Sequence, residues 1–252
     1  WGTYASTRIN NFNSPDPRPD YYKKLPSYAT DPAIKELLTN YLQADESNRQ
    51  INWQNLYDVN STNIQTINNV DGIKGNNVTG KLAAYLLEEE HSDNLKLSFN
   101  TILNTVINKK LTIVSGLQYL KENVHFYRKI DDLLGADFFV DYNTFAIRDF
   151  PNNTDVLQFD LSRPNRIVKE GENFGHDYNI NTSRASIWSQ AIYKTKKIDY
   201  FAAINLVNQS FYREGFTKTG LFPDNSFGKS EVQNFMNYGL KGGLTYKING
   251  RN

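Results

Sequence analysis

The chain has no cysteine, a single methionine, and no apolar run long enough to cross a bilayer as a helix. Without cysteine there is neither a disulfide framework nor a thiolate metal site. The longest apolar stretch is Leu82 to Leu87, far short of the roughly 18 residues a spanning helix needs. Charge is also nearly absent as a net quantity. A formal +1 gives no electrostatic footing for nucleic acid or for an anionic membrane surface. The opening Trp1-Gly2-Thr3-Tyr4 is neither basic nor followed by an apolar segment, so no signal peptide is expected there. There is no Gly-x-Ser-x-Gly elbow and no phosphate loop. The three histidines, His91, His125 and His176, are far apart and lack metal-ligand spacing. No enzyme, no cofactor and no nucleic-acid partner is expected.

Aromatic residues are plentiful, with 16 Tyr and 15 Phe, and they sit in period-two patterns. Strict alternation marks a strand with one apolar and one polar face. From Leu95, the odd positions Leu97, Phe99, Thr101, Leu103, Thr105 and Ile107 oppose Lys96, Ser98, Asn100, Ile102, Asn104 and Val106, an apolar face against a mostly polar one. Asn108-Lys109-Lys110 breaks the pattern, which resumes with Leu111, Ile113, Ser115, Leu117 and Tyr119: a hairpin. A second hairpin joins 178–195 to 198–214 through Lys196-Lys197. The last strand places Met236, Tyr238, Leu240, Leu244, Tyr246 and Ile248 on one face. Asn249-Gly250 after it is a two-residue hairpin signal. A mean hydropathy of −0.61 is compatible with membrane strands, because a barrel strand shows only alternate residues to lipid.

Long polar segments separate the strands, at 13–81, 129–177 and 215–229. The first opens with Pro15, Pro17 and Pro19, spaced for a stiff segment rather than a PxxP ligand. It holds a helix with Asp31 as N-cap, Pro32 at the first helical position, and a stripe of Ile34, Leu37, Leu38, Tyr41 and Leu42. A second short helix is expected from Trp53 to Val59. Tight turns alternate with long loops only if 82–107 is one continuous strand, with no hairpin at His91 to Asn94. Six strands follow: 1–12, 82–107, 110–128, 178–195, 198–214 and 231–248. The fold class is therefore all-β, part of a large antiparallel transmembrane β-barrel with three hairpins, whose long outer loops carry short helices. Bacterial single-chain barrels begin at about eight strands, so 1–252 is expected to be a fragment of one barrel domain. On this face assignment, arginine at Leu240 should block membrane assembly and arginine at Gly243 should matter less.

Candidate ligand contacts are the loop aromatics Tyr21, Tyr22, Trp53, Tyr57 and Phe138, set against the plainer role of a core for the loops themselves. Tyr193, Tyr200 and Tyr246, near the tight turns, fit a membrane-interface girdle, with Tyr127 and Tyr212 at the opposite level. Glu88-Glu89-Glu90 reads as a solvated rim, since adjacent strand residues point to opposite faces. Asp131, Asp132 and Asp137 match no cation-loop signature.

The loop sequences carry a family likeness. "SPDPRPDYYKKLPSY" (14–28), "INWQNLYDVN" (51–60), "KIDDLLGADFFVD" (129–141), "RDFPNNTD" (148–155), the run from Asn165-Arg166-Ile167-Val168 to 181, and "GLFPDNSFGKSEVQNFMNYGLKGGLTYKING" (220–250) occur in order. Together they resemble TonB-dependent outer-membrane receptors of the Bacteroidetes type. The resemblance implies a barrel of about 22 strands around a plug, importing a scarce nutrient such as a siderophore, glycan or peptide. It also implies the outer-membrane bilayer as surroundings, TonB as a partner through a plug region not seen in this chain, and a surface lipoprotein over the loops. Two other readings stay open: a scaffold barrel in an outer-membrane complex, and an extracellular glycan-binding β-sandwich.

Overall fold

The structure is a computed structural model that describes residues 1–12, 14–150 and 152–248, so the Asn249-Gly250 turn lies outside it. Eleven strands are described: β1 (Gly2–Asn10), β2 (Ile64–Ile67), β3 (Val78–Lys81), β4 (Leu86–Val106), β5 (Leu111–Asp132), β6 (Phe139–Val140), β7 (Ile167–Val168), β8 (Asn173–Lys194), β9 (Ile198–Gly215), β10 (Gly228–Lys229) and β11 (Gln233–Tyr246). Three helices join them: α1 (Pro32–Ala44), α2 (Trp53–Thr62) and α3 (Thr144–Asp149). The chain is all-β in character. Its long strands pair antiparallel in sequence order, β1-β4-β5-β8-β9, with β11 on the far side of β9. The sheet is open: among the described residues β1 and β11 each have one unpaired edge.

Local chemistry accounts for the turns and helix starts. Asn108 accepts the Lys110 and Leu111 amides at 2.8 and 3.0 Å and closes the β4–β5 hairpin. Thr195 Oγ1 accepts the Ile198 amide at 3.0 Å in the β8–β9 turn. Asp31 caps α1 by accepting from Ala33 N at 2.8 Å, with Pro32 behind it. Asn52 caps α2 through the Asn55 amide at 3.0 Å.

Two boundaries differ from the sequence expectation. β4 begins at Leu86 rather than 82, because the preceding Ala84 and Tyr85 amides are taken by the Asn60 side chain. β5 and β8 pair beyond 128 and 178. A register shift between Tyr127 and Arg128 lets pairing resume at Arg128 and Phe174, with Gly175 in the left-handed region.

Register defines the two faces. Directly opposed residues in an antiparallel pair share a face. Thr101 opposes Leu117, which opposes Ile187, which opposes Leu206, which opposes Tyr238. Every rung from there to the turns repeats this pattern. Leu97, Phe99, Leu103, Leu117, Tyr119, Ile187, Ile204, Leu206, Tyr238, Leu240 and Leu244 thus form one apolar surface, and all of them are exposed. Leu240 is 70% exposed and Met236 82%. Ser115 and Ser189, within this surface, satisfy each other at 2.9 Å. A β-sandwich would bury such a face against a second sheet; here no described residue covers it.

The opposite face carries Lys96, Asn100, Gln118, Arg184, Gln190, Asn205, Asn237 and Lys241. Two aromatic rings lie across glycines on it. A Cβ on Gly116 would meet Trp188 Nε1 at 2.4 Å, and one on Gly243 would meet Phe201 Cε1 at 2.4 Å. A side chain at Gly243 would displace the Phe201 ring as well as add charge, so Asn237 is the cleaner polar-face control for Leu240. Gly116→Val should displace Trp188 and lower stability by about 1–3 kcal/mol, as overpacking does. Denaturant unfolding checks this, and an unchanged midpoint would contradict the stacked geometry.

Candidate functional site

At the end of the sheet away from the tight turns, the long connections fold into a packed body. Its main core joins Ala83, Leu86, Ile130, Leu133, Phe139, Val168 and Phe174. A second cluster of Leu56, Tyr85 and Leu134 seats α2. Asn60, fully buried, ties the body together. The two hydrogens of its Nδ2 are shared among the carbonyls of Tyr85, Leu133 and Leu134, at 2.8, 2.9 and 3.1 Å. Its Oδ1 accepts from the Ala84 and Tyr85 amides at 2.9 and 3.0 Å. One amide side chain thereby serves five buried backbone groups from two distant segments.

A cavity of about 710 Å³ opens beside this body at the loop ends of β1 and β4. Its floor is an ionic cluster. Glu88 has no exposed surface; it accepts from Arg8 Nε and from Asn10 Nδ2 at 2.8 Å, and lies 3.5 Å from Arg128 Nη1. The reading of Glu88 as a solvated rim residue is therefore corrected. Burial of that carboxylate is made tolerable by two guanidiniums supplied from β1 and β5. Register irregularities sit at Glu88 and at Arg128, the place where a bulge re-aims side chains. Arg128 is further fixed by the Phe174 ring, 4.9 Å from its Cζ.

The wall comes from the first loop. Asp16 and Arg18 pair at 2.7 Å, and that hydrogen bond holds the Asp16 carboxyl below its ordinary range. Trp53, at the start of α2, and Phe145, on α3, complete the rim; both are exposed. Asp16 and Pro17 also border a neighbouring cavity of about 500 Å³, lined by Tyr41, Asn48, Gln50 and Asn55. Tyr85 Oη donates to the Pro15 carbonyl at 2.8 Å and anchors this proline-spaced partition.

The aromatics singled out from sequence separate into groups. Tyr21 and Tyr22 meet edge-on at 4.8 Å, with Arg18 and Lys23 over their rings. Trp53 lines the larger cavity. Tyr57 packs against Gly135, and Phe138 is 2% exposed within the loop body. The ligand role expected of Phe138 gives way to a packing role, because its carbonyl accepts the Ala83 amide at 2.9 Å and holds it inside. Tyr193 and Tyr200 face each other across β8 and β9, and Tyr246 sits near them on β11, all exposed at the turn end of the apolar face.

The fold also joins what the sequence keeps apart. His91 stacks on Tyr127 and His125 meets the same ring at a tilt of 31°, each with centroids 4.6 Å apart. Their carboxylate partners are Glu89 at 2.8 Å and Asp177 at 2.6 Å. Tyr127 donates to Asp93 at 3.1 Å. Among the described residues no His/Asp/Glu group is arranged to hold a metal ion. Asp132 and Asp137 serve backbone amides, those of Leu134 and Lys81.

Asp141 is buried under the same body, and burial raises its pKa to about 6 against the pull of the Gly175 amide and of Arg166. A folded-state pKa above the unfolded value means the native state takes up the proton first. Stability from this residue is therefore largest below about pH 4 and declines as pH rises through about 6. Relative to Asp141→Asn, the wild-type melting temperature should fall as pH goes from 4 to 7. A difference that is flat with pH would contradict this.

Comparison with protein families, with curated proteins and with solved structures gave no match.

Proposed function

We propose that the chain is a wall segment and mouth of an outer-membrane β-barrel receptor that imports a scarce nutrient using energy from TonB. One observation carries the reading: an uncovered apolar surface runs across five adjacent strands from the rung of Phe99, Tyr119, Ala185 and Met236 towards the turns, and on β4 it reaches two rungs higher, to Leu95. On β4 it extends from Leu95 to Thr105, and on β11 from Met236 to Tyr246. Those are roughly 9–11 residues, the length a tilted strand needs to cross the hydrocarbon layer. Tyr193, Tyr200 and Tyr246 mark its lower limit, where an aromatic girdle belongs. Above it the same face turns polar at Asp93, Asn123, Asn181 and Ser210. Its unpaired edges call for further strands. The loop-sequence resemblance supplies the import function and the TonB coupling.

Deleting the parent gene should abolish growth on one limiting nutrient within a panel of siderophores, oligosaccharides and peptides. The wild-type gene should restore it, and a version without the TonB-contacting segment should not. Unaltered growth across the panel would contradict import. A scaffold role draws on a different feature, the exposed stripe of Ile34, Leu37 and Tyr41 on α1, on which a surface lipoprotein would sit. The upstream sequence separates the two readings. A plug domain with a TonB-contacting segment favours import, and its absence favours the scaffold.

A further inference from the structure

We infer that the cavity bounded by Arg8, Arg18, Arg128 and Trp53 binds a monoanionic carboxylate joined to a flat apolar group, such as an aromatic acid or a peptide ending in an aromatic residue. Charge is the first reason. Three arginines and two carboxylates, Asp16 and Glu88, line the cavity, and Glu90 outside the lining reaches Arg8 Nη1 at 3.6 Å. Arg8 is thus held between Glu88 and Glu90, whereas Arg128 has only its 3.5 Å approach to the Glu88 it shares with Arg8. A ligand carboxylate would take the guanidinium donors that Asp16 and Glu88 leave open on Arg18 and Arg128.

The donors are the second reason. Arg18 commits Nε and Nη2 to Asp16, which leaves Nη1 for a ligand. Arg128 Nε is buried with no acceptor among the described residues. Arg8 and Arg128 are held in place by Glu88 and by the Phe174 ring, so little side-chain freedom remains to be lost on binding. The rim is the third reason. Trp53 is 45% exposed and Phe145 72%, both at the mouth of the cavity, where two flat apolar surfaces stand without a packing partner large enough to cover them. An aromatic group attached to the carboxylate would rest there while its charge reached the guanidiniums. The volume of about 710 Å³ accepts a ligand of that size.

This assignment deepens the receptor reading and rests on it for passage inward, while binding needs the loop end alone. The test is calorimetry on the purified full-length parent with three probes: glycyl-phenylalanine, its C-terminal amide, and phenylacetate. The free-acid dipeptide should bind at least about tenfold more tightly than the amide, as loss of a charge-assisted hydrogen bond to a fixed arginine implies. Tighter binding of phenylacetate than of the dipeptide would identify a free aromatic acid as the ligand, and the reverse a peptide terminus. Arg18→Gln should weaken the acids by about fivefold or more, leave the amide unchanged, and leave the far-ultraviolet spectrum and melting curve as in the wild type. Equal affinity for acid and amide, or no binding by any of the three, would overturn the inference. A parent that resides in the outer membrane yet fails this test loses the site and keeps the receptor reading. A freely soluble parent that passes it keeps the site and loses the receptor reading.

Discussion

Replacing Leu240 by arginine is expected to cost about 2–4 kcal/mol of membrane assembly, the penalty for a cation on the lipid-facing side near mid-bilayer. The residue lies midway along β11 opposite Ile204, with apolar neighbours above and below on the same face. No carboxylate shares that face at this level. The nearest relief would be for the side chain to extend several residues towards the polar zone. Asn237→Arg, on the other face of the same strand, should be nearly silent. Asn237 stands beside Lys241 in period two, on a face already polar. The measurement is the fraction of full-length parent recovered folded in the outer membrane for each variant. Similar losses from both would contradict the assignment of faces.

Asn60→Leu is expected to have the larger effect on stability, about 4 kcal/mol or more. The substitution keeps the number of side-chain heavy atoms but removes a partner from the Tyr85 and Leu134 carbonyls and the Ala84 and Tyr85 amides; the Leu133 carbonyl retains the Ala136 amide at 3.1 Å. Each buried, unpaired backbone group costs about 1–3 kcal/mol. The damage should be local. The strands below Leu86 depend on ladder hydrogen bonds and not on Asn60, so the sheet should persist while 52–85 and 133–140 open. Limited proteolysis would read this as new cleavage within those segments. Asn60→Asp, which keeps the acceptor and loses the donor, should fall between the two. Wild-type resistance in the leucine variant would show that the five hydrogen bonds do not hold the body.

What was legible in the sequence is what repeats locally. Alternation located the long strands from Leu95 onward, because a side-chain period of two survives any arrangement of loops, while 1–12 and 82–94 followed from the order of turns and loops. Asp31 with Pro32 located α1, since a cap and a fixed φ act within a single turn. What was not legible depends on residues brought together from far away. Three consecutive glutamates look solvated; only the arrival of Arg8 and Arg128 from separate strands makes burial of Glu88 tenable. His91 and His125 are 34 positions apart and meet only because the β4–β5 register puts Asp93 opposite His125 and His91 opposite Tyr127. Phe138 resembled a ligand contact because it is aromatic and in a loop; the long loops fold on themselves and need their own core. Bulges at Glu88 and Arg128 leave no compositional trace, yet they direct the side chains that floor the cavity.

The most direct test is protease shaving of intact cells expressing the full-length parent, followed by fractionation. A barrel wall with external loops predicts cleavage within 13–81 or 133–172, with the fragments remaining in the outer-membrane fraction and 95–119 protected. A parent recovered in the soluble fraction, or cleaved at the β4–β5 turn while the loops stay intact, would contradict it.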